Sequence, residues 1–446
     1  MTTSTDSRSP GAAAAAPSPD TRRRARLMLY TVLFLGVLTA NLIYFLAGLA
    51  LGRWGANPDS LQLVSALSQL NLLLGSLPRQ GWMVNLISRA ATAAPVSWPL
   101  RLRWRLAQYY QVGGLHVGCA VSGTLWYVVY VVLLSPAWRD SETRYDDWSM
   151  LVAVLALLTL VTVSALATPG FRKRHHDIFE ASHRFGGWAV LLLGWINAVL
   201  LARWEGGPHD AAVALLTSPN FWMLTVSTCL AVWPWLLLRR VPVTVDRPSD
   251  HAAVVRLGHR YVPAVGTTRA ISRRPLLGWH PFACVPAVPG EPGYRMVISR
   301  AGNWTSDFID NPPTHVWVKG VPSVGVANAK KLFTRVLYVA TGSGVGPILG
   351  HLLTDTQGAR LVWVTKRPRD TYGDALVDEI TTAQPEAVIW NTTERGKPDV
   401  FDLAWDALVT TGADAVICVA NAGVTDSVVR GFESRGVPAF GPIWDS

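Results

Sequence analysis

The sequence predicts a membrane α-helical bundle of about six spans over residues 26–240, followed by a cytoplasmic antiparallel β-barrel over 241–335 and a doubly wound parallel α/β domain over 336–446. Three observations lead to this fold class. The composition is strongly apolar, six apolar segments alternate with basic loops, and short β-type segments replace them after Arg240.

The composition disfavours several classes of protein. Half of the 446 residues are hydrophobic, only 16% are charged, and the mean hydropathy is +0.25. Soluble domains carry about 25% charged residues, so a disordered protein, a coiled coil and an ordinary soluble enzyme are all disfavoured. The net charge of +10 accompanies apolar segments and no zinc-finger or recognition-helix pattern, so we predict no nucleic-acid partner. The four cysteines form no CxxC pair, which disfavours a disulfide framework or a structural zinc site.

The first apolar segment follows a basic tail. Residues 1–25 are rich in Ser, Thr, Pro and Ala and include Arg22–Arg24, so we expect a disordered tail. The segment that follows is long enough to span a bilayer, which favours an uncleaved helix over a signal peptide. The six apolar segments are residues 27–49, 61–77, 112–134, 149–167, 186–202 and 221–238. The second is the least apolar because it contains Gln62, Gln69 and Asn71.

The distribution of basic residues predicts the orientation of these segments. Sixteen Lys and Arg residues lie in residues 1–26, in loops 78–111 and 168–185, and directly after the last segment, against four in the alternating loops. Lys and Arg accumulate on the cytoplasmic side of membrane proteins. We therefore predict a multi-pass protein of the cell membrane, embedded in the lipid bilayer, with both termini in the cytoplasm.

The second half of the chain shows two different sequence patterns. Residues 252–325 contain the runs VVRL, MVISR and HVWVKG between turns, which predict a small antiparallel β domain. From residue 336 the apolar runs VLYVA, LVWVT, AVIW and AVICVA alternate with helical segments. Strands that are apolar throughout and alternate with helices predict a parallel sheet covered on both faces.

A glycine-rich turn follows the first of these strands. It contains Thr341, Gly342, Gly344, Gly346 and Pro347. Glycines allow a sharp turn and bring backbone N–H groups close to a phosphate at a helix N-terminus. Pro347 suits the first position of that helix. Turns of this kind also serve packing alone, so both interpretations remain open.

Three basic residues follow the next strand. Lys366, Arg367 and Arg369 come directly after LVWVT. Cations at this edge of the sheet could bind the 2′-phosphate of NADPH and so favour it over NADH. A solvated basic loop explains the same residues equally well.

These motifs occur in the order found in a known group of proteins. Trp279-His280-Pro281-Phe282, Gly302-Asn303-Trp304-Thr305, TGSGVGP and the Cys418 strand follow one another at suitable spacings. Over about residues 105–446 the sequence resembles the membrane flavocytochromes, that is, the ferric reductases and NADPH oxidases with a ferredoxin-reductase-like portion. The short barrel and the final GPIWDS are most similar to a heme-poor branch of transmembrane flavoproteins associated with development and secondary metabolism.

The resemblance implies two cofactors, FAD on the β domain and NAD(P)H on the α/β domain. It implies that Trp279, His280, Pro281 and Phe282 line the flavin, and that the backbone of Gly302, Asn303, Trp304 and Thr305 binds its pyrophosphate. NAD(P)H would lie across Gly342–Pro347 with its nicotinamide near Cys418. Trp444 would stack on the flavin, so Cys418 and Trp444 are the candidate catalytic residues.

The resemblance also raises the question of heme. Family members bind two b-type hemes between their third and fifth spans, and here His116 and His183 are the possible axial ligands near the inner end. The positions 14 residues further along are Tyr130 and Asn197, about 21 Å away on a helix. Neither is a histidine, so we expect one heme or none.

Two departures from the family pattern affect the chemistry. Ala283 stands where a hydroxyl residue is usual, and Cys418-Val419-Ala420 replaces Cys-Gly-Pro. We predict a membrane flavoprotein oxidoreductase that takes a hydride from cytoplasmic NAD(P)H onto FAD and passes electrons to an unidentified membrane-associated acceptor. The alternative is a catalytically weak flavin-binding sensor or regulator linked to development or secondary metabolism.

Overall fold

The computed structural model describes residues 28–139, 145–258 and 260–442, with the backbone alone at 205–209. The predicted disordered tail, residues 1–25, and the candidate catalytic residue Trp444 lie outside the described residues. All other candidate site residues lie within them.

The N-terminal region is helical, as predicted. Its helices are α1 (Leu29–Ala50), α2 (Pro58–Ser76), α3 (Gly81–Thr92), α4 (Leu100–Leu106), α5 (Gly113–Arg139), α6 (Asp147–Leu166), α7 (Pro169–Arg174), α8 (His176–Thr217) and α9 (Pro219–Leu236). Within the described residues, five helical segments are long and apolar enough to cross a bilayer. A sixth is added if the bent pair Asp210–Thr217 and Pro219–Leu236 forms one span. The apolar helices confirm the predicted helical region, and their placement in a bilayer remains a prediction.

The polar residues of α2 pair inside the bundle. The side-chain amides of Asn41 and Asn71 exchange hydrogen bonds of 3.2 and 3.0 Å, and Trp126 Nε1 donates to Asn41 Oδ1 at 2.7 Å. Gln69 Nε2 donates to Ser227 Oγ at 3.2 Å. Buried polar groups need such partners, so the low apolarity of this segment reflects a hydrogen-bonded bundle interior.

The β domain follows α9 directly. Its strands are β1 (Arg239–Asp246), β2 (Ala252–Leu257), β3 (Thr267–Ser272), β4 (His280–Ala283), β5 (Val285–Pro286), β6 (Tyr294–Ser299), β7 (His315–Val318) and β8 (Ser323–Val324), with helix α10 (Asn303–Asp310) between β6 and β7. The order β4-β3-β7-β1-β2-β6-β5, with β8 on β3, gives a nearly closed antiparallel barrel. Alternating inward residues such as Val255, Leu257 and Met296 fill its interior. The predicted antiparallel domain is confirmed.

The last part of the chain is a parallel sheet covered by helices. Its elements are β9 (Val336–Thr341), α11 (Val345–Thr354), β10 (Ala359–Thr365), α12 (Pro368–Tyr372), α13 (Asp374–Ala383), β11 (Val388–Asn391), α14 (Thr392–Arg395), α15 (Val400–Thr411), β12 (Ala415–Val419), α16 (Ala422–Glu433) and β13 (Ala439–Phe440). The strand order is β11-β10-β9-β12-β13 and every pairing is parallel. Apolar clusters cover both faces of the sheet, which explains strands that are apolar throughout and confirms the predicted α/β fold.

The three parts are in direct contact. Helix α3 and the turn after α4 pack against residues 321–332, which connect the barrel to the parallel sheet. Asn85 bonds the carbonyl of Pro322 (2.8 Å) and the N–H of Val324 (3.0 Å), and Tyr109 Oη donates to the carbonyl of Gly325 (2.9 Å). The predicted loop 78–111 is therefore an ordered part of the structure.

The crossing of α1 and α5 gives a test of bundle packing. A Cβ at Gly114 would overlap the carbonyl oxygen of Tyr30, so Gly114→Ala should destabilise the protein by about 1–3 kcal/mol. Gly36 lies in the same pair of helices with open space around its Cβ position, so Gly36→Ala is the matched control and should leave stability unchanged or slightly higher. Thermal unfolding in detergent measures both. Equal midpoints for the two variants would contradict this packing.

Candidate functional site

The carboxyl ends of the parallel strands meet at one edge of the sheet. Thr341 pairs with Val364, Ala340 with Val419, and Thr365 with Asn391. This register brings together the glycine-rich turn after β9, the basic loop after β10 and the turn after β12. In open parallel sheets, ligands bind outside this edge where the strand order reverses, which here lies between β9 and β12.

The glycine-rich turn has two backbone requirements for glycine. Gly342 has φ +49°, in the left-handed region that favours glycine, and its carbonyl accepts a 2.9 Å hydrogen bond from Trp363 Nε1. A Cβ at Gly344 would overlap the carbonyl oxygen of Val419, so the turn lies directly against the end of β12. Both glycines therefore have a structural reason that does not exclude phosphate binding.

Helix α11 begins immediately after this turn. Its first residue is Val345, so Pro347 occupies the third helical position and not the first as predicted. The third position still belongs to the first turn, where N–H groups have no intrahelical acceptor and a proline costs little. The N-terminus of α11 lies at the carboxyl edge of the parallel sheet, where a helix N-terminus can bind a phosphate.

The basic loop after β10 offers fewer free cations than predicted. Arg369 forms ion pairs with Asp374 (2.8 Å) and Asp378 (2.7 Å), so its charge is already compensated. Arg367 is exposed and has φ +36°. Its Nε lies 3.8 Å from a carboxylate oxygen of Asp370, and its backbone N–H donates to Asn391 Oδ1 at 2.9 Å. Lys366 is also exposed. Lys366 and the loosely paired Arg367 are therefore more accessible to a ligand at this edge than Arg369.

Two motifs that are distant in sequence meet on the barrel. Strand β4 places His280 and Phe282 on one face, and Trp304 of α10 lies over both, with ring centroids 4.2 and 5.9 Å away. Trp304 continues the stack to Phe308 at 5.1 Å. Pro281 points the other way and is exposed. Burial lowers the pKa of His280 and so favours its neutral imidazole.

The N-terminus of α10 is the second helix end in the site. Thr305 Oγ1 accepts the N–H groups of Ala301 (2.9 Å) and Gly302 (3.0 Å). The N–H groups of Asn303 and Trp304 in the first turn have no intrahelical acceptor. The space that a Cβ on Gly302 would enter is open. This end can therefore accept an anionic group such as a pyrophosphate.

Trp279 faces the helical bundle and not the rings of His280 and Phe282. It is buried, its Nε1 donates to the carbonyl of Pro275 at 2.8 Å, and its ring meets Trp235 of α9 edge-on at 6.2 Å. Lys319 Nζ lies 4.3 Å from the centroids of both rings. Burial lowers the pKa of Lys319 to about 8. Trp279 thus contributes to the bundle–barrel contact.

Arg269 is a candidate that sequence reasoning missed. It lies on β3 opposite Phe282 and is only 6% exposed. Its Nε and Nη1 have no hydrogen-bond partner among the described residues, and its guanidinium lies 5.9 Å from the Tyr261 ring. A buried charge without acceptors is costly, so this position fits a ligand that carries acceptor atoms. The alternation of TTRAIS, which places Arg269 with the inward residues, was the available signal.

The expected role of Cys418 does not fit the structure. Its side chain is fully buried within the cluster under α15 and α16, whereas Val419 and Ile417 face α11. Burial raises the pKa of the thiol to about 12, so it stays protonated. We correct the prediction: Cys418 is a packing residue because the period-two alternation of β12 turns it away from the cleft.

The two possible heme ligands and the two positions 14 residues further along form an inner and an outer layer of the bundle. In the inner layer the His116 and His183 ring centroids are 6.0 Å apart, and His116 Nδ1 lies 2.8 Å from the carbonyl oxygen of Gly75. In the outer layer Tyr130 Oη donates directly to Asn197 Oδ1 at 3.0 Å, with both residues buried. Neither residue of this outer pair is a histidine, and the two side chains are hydrogen-bonded to each other. The adjoining cavity of about 20 Å³ has room for about one water.

Known proteins match this chain over most of its length. The family model described as "Adenylate-forming reductase 03009, C-terminal domain" matches residues 326–446. Adenylate-forming reductase 03009 of Coprinopsis cinerea is 40% identical over 379 residues, and adenylate-forming reductase 06235 of the same organism is 36% identical over 419. The matches cover 84% and 94% of this chain but only 36% and 40% of those relatives.

Solved structures match less closely. Flavohemoglobin from Malassezia yamatoensis, with bound FAD and heme, has a TM-score of 0.40 at 13% identity, covering 85% of this chain and 98% of that one. An NADH-dependent reduced ferredoxin–NADP oxidoreductase has a TM-score of 0.35 at 18% identity, covering 46% and 75%. Scores this low carry no argument about function. The antiparallel barrel followed by a parallel sheet is the order of domains that the sequence resemblance predicts.

The contact between Gly344 and Val419 gives a test of the glycine-rich turn. Gly344→Ala should push the turn away from β12 and weaken NADPH binding about tenfold or more, which corresponds to about 1.4 kcal/mol. Gly423→Ala, where the new Cβ meets ordinary contact distances, is the control. Calorimetric titration with NADPH measures both variants. Unchanged affinity in Gly344→Ala would show that the turn serves packing alone.

Proposed function

We propose that this chain is a membrane flavoprotein oxidoreductase that takes a hydride from NAD(P)H onto FAD. The observation that carries the proposal is the packing of α11 on the barrel. A Cβ on Gly346 would lie 3.5 Å from the carbonyl oxygen of Val297, and one on Gly350 would lie 3.3 Å from that of Cys284. The helix that begins at the nucleotide turn therefore rests on the strands next to His280 and Phe282.

The described residues fit a flavin in three ways. The N-terminus of α10 offers N–H groups for a pyrophosphate, the faces of His280 and Phe282 with Trp304 offer an aromatic surface, and Arg269 offers unpaired N–H groups. When bound, FAD supplies the chemistry that converts a two-electron hydride into single electrons. The chain's own contribution is to bind and orient the two cofactors and to exclude water between them.

The nucleotide would bind along the edge of the parallel sheet. Gly342–Gly346 and the first turn of α11 would receive its pyrophosphate, and Lys366 and Arg367 would receive a 2′-phosphate. Ala283 lacks a hydroxyl and Cys418 is turned away, so neither can donate a hydrogen bond to the reacting ring. We expect the missing donor to lower the rate of hydride transfer by about 10² to 10³.

The electron acceptor is proposed to be membrane-associated. The apolar helices and the asymmetry of basic residues support a bilayer location with both termini in the cytoplasm. The hydrogen bond between Tyr130 and Asn197 occupies the outer position, which supports an acceptor that needs no heme pair across a hydrocarbon core of about 30 Å. A single heme between His116 and His183 is a subsidiary part of this proposal and is tested by the reduced absorption spectrum.

A second candidate function comes from the named relatives. An adenylated carboxyl group is activated toward a hydride, and an adenylate-forming reductase needs a hydride donor. This chain would then supply reducing power to an activated acyl substrate. NADPH oxidation that depends on an acyl adenylate, and not on quinone or dye acceptors, would favour this candidate. The alternative of a sensor or regulator is motivated by Ala283, which lacks a hydroxyl group, and by the missing outer histidine pair. Bound flavin without NADPH oxidation by any acceptor would favour that alternative.

The basic loop gives a test of nucleotide choice. Arg367→Ala should raise the apparent KM for NADPH about tenfold and leave that for NADH nearly unchanged, because a charged hydrogen bond contributes about 1.5–3 kcal/mol. Arg369→Ala is the matched control, since its charge is compensated by Asp374 and Asp378. Steady-state oxidation of both nucleotides with a dye acceptor gives the constants. Equal changes for NADPH and NADH would remove the 2′-phosphate assignment.

A further inference from the structure

Helix α3 has two distinct faces. The face with Gly81, Asn85 and Ser88 docks on the connection between the barrel and the parallel sheet. The Asn85 side chain donates a hydrogen bond to the carbonyl of Pro322 and accepts one from the N–H of Val324. Asn328 Nδ2 donates to Ser88 Oγ at 2.8 Å. A Cβ at Gly81 would also collide with the carbonyl oxygen of Val321. This face is fully used by intramolecular contacts.

The adjoining face of the helix is exposed and mainly apolar. Trp82, Leu86 and Arg89 share it at helical spacing, and Leu86 is 56% exposed. The segment that follows exposes further large apolar side chains, namely Val96, Trp98, Leu100 and Leu102. We call the exposed side chains of residues 82–102 the strap surface. Solvent exposure of so many large apolar groups in one short segment indicates an interaction surface.

The charge on the strap surface has one sign. The chain has no Asp or Glu between Asp59 and Asp140. Arg89 and Arg101 are exposed, and within the described residues neither has a carboxylate in ion-pairing range. Arg103 is different, because it is buried and bonds the carbonyl of Trp98 and the carbonyl of Leu332. The surface therefore combines exposed Trp and Leu side chains with two uncompensated arginines.

We propose that the strap surface binds the anionic phospholipids of the cytoplasmic leaflet. Trp and Leu side chains on one face with Arg beside them are what an interfacial helix presents to a lipid headgroup region. The strap surface is also continuous with α2, a predicted span, through residues 77–79. The inference rests on the proposed membrane location, and it adds a headgroup class and two residues that recognise it.

Lipid binding at the strap surface would affect the connection between the barrel and the parallel sheet. The docked face of α3 holds residues 321–328, and Tyr109 holds Gly325 in the same connection. Ordering of the strap by anionic lipid therefore orders the segment that joins the barrel to the parallel sheet. This couples membrane composition to the relative stability of the two cofactor domains.

Hydrogen exchange of the full chain in nanodiscs tests the proposal. Nanodiscs of phosphatidylcholine alone are compared with nanodiscs that also contain phosphatidylserine. We expect peptides covering 81–102 and 321–332 to exchange at least about fivefold more slowly with phosphatidylserine, because each arginine near an anionic surface contributes about 1 kcal/mol. Added salt should remove the difference.

Two double variants test whether the slower exchange depends on the arginines of the strap surface. Arg89→Gln with Arg101→Gln should abolish the response to phosphatidylserine. Arg260→Gln with Lys397→Gln removes the same charge from exposed positions outside the strap surface and should retain the response. Equal exchange in the two lipids, or a full response in the Arg89/Arg101 variant, would overturn the inference.

The flavin content of the same samples shows whether the redox proposal or the lipid-binding proposal has failed. A lipid response that persists in protein without bound FAD would leave the strap inference standing while the redox proposal fails. Bound FAD with no lipid response in wild-type protein would overturn the strap inference alone.

Discussion

The close packing of α11 on the barrel is the contact on which the rest of the structure depends. Small residues at Gly346 and Gly350 let the helix approach strands β6 and β4, and larger side chains there would separate the two domains. A half-buried ion pair reinforces the contact: Arg295 of β6 binds Glu379 of α13 through two hydrogen bonds of 3.0 and 2.6 Å. Because α11 begins at the glycine-rich turn, this packing sets the position of any nucleotide relative to His280 and Phe282.

The helical bundle is held to the barrel almost as firmly. Strand β1 begins at Arg239, three residues after α9 ends at Leu236, which leaves no room for a flexible linker. Lys319 lies between the rings of Trp235 and Trp279, and the N–H of Gly320 donates to the carbonyl of Pro234 at 3.1 Å. Together with the docking of α3, these contacts make the bundle a fixed platform for the reductase region. Electrons leaving a flavin on this barrel would therefore start from a defined position beside α8 and α9.

Local patterns in the sequence predicted most of the fold, and long-range contacts account for what they missed. The apolar helices, the antiparallel strands and the strand–helix alternation follow from periodicity, which is a local property. The prediction that Arg369 is free to bind a ligand was wrong because Asp374 and Asp378 form ion pairs with it. The prediction that Cys418 lies near the nicotinamide was wrong because its side chain packs under α15 and α16. Arg269 was missed since its burial depends on Phe282, Tyr294 and the closure of the barrel. Loop 78–111 gave no sign that one face of α3 would bind a segment more than 200 residues away.

The most direct test of the account is the absorption spectrum of the full chain in nanodiscs, recorded without oxygen after FAD is supplied and the excess removed. We expect oxidised flavin bands that bleach when NADPH is added, because the glycine-rich turn and the barrel site share one interface. Protein that retains no flavin, although it is folded and embedded in lipid, would contradict the central claim that this barrel and sheet bring FAD and NAD(P)H together.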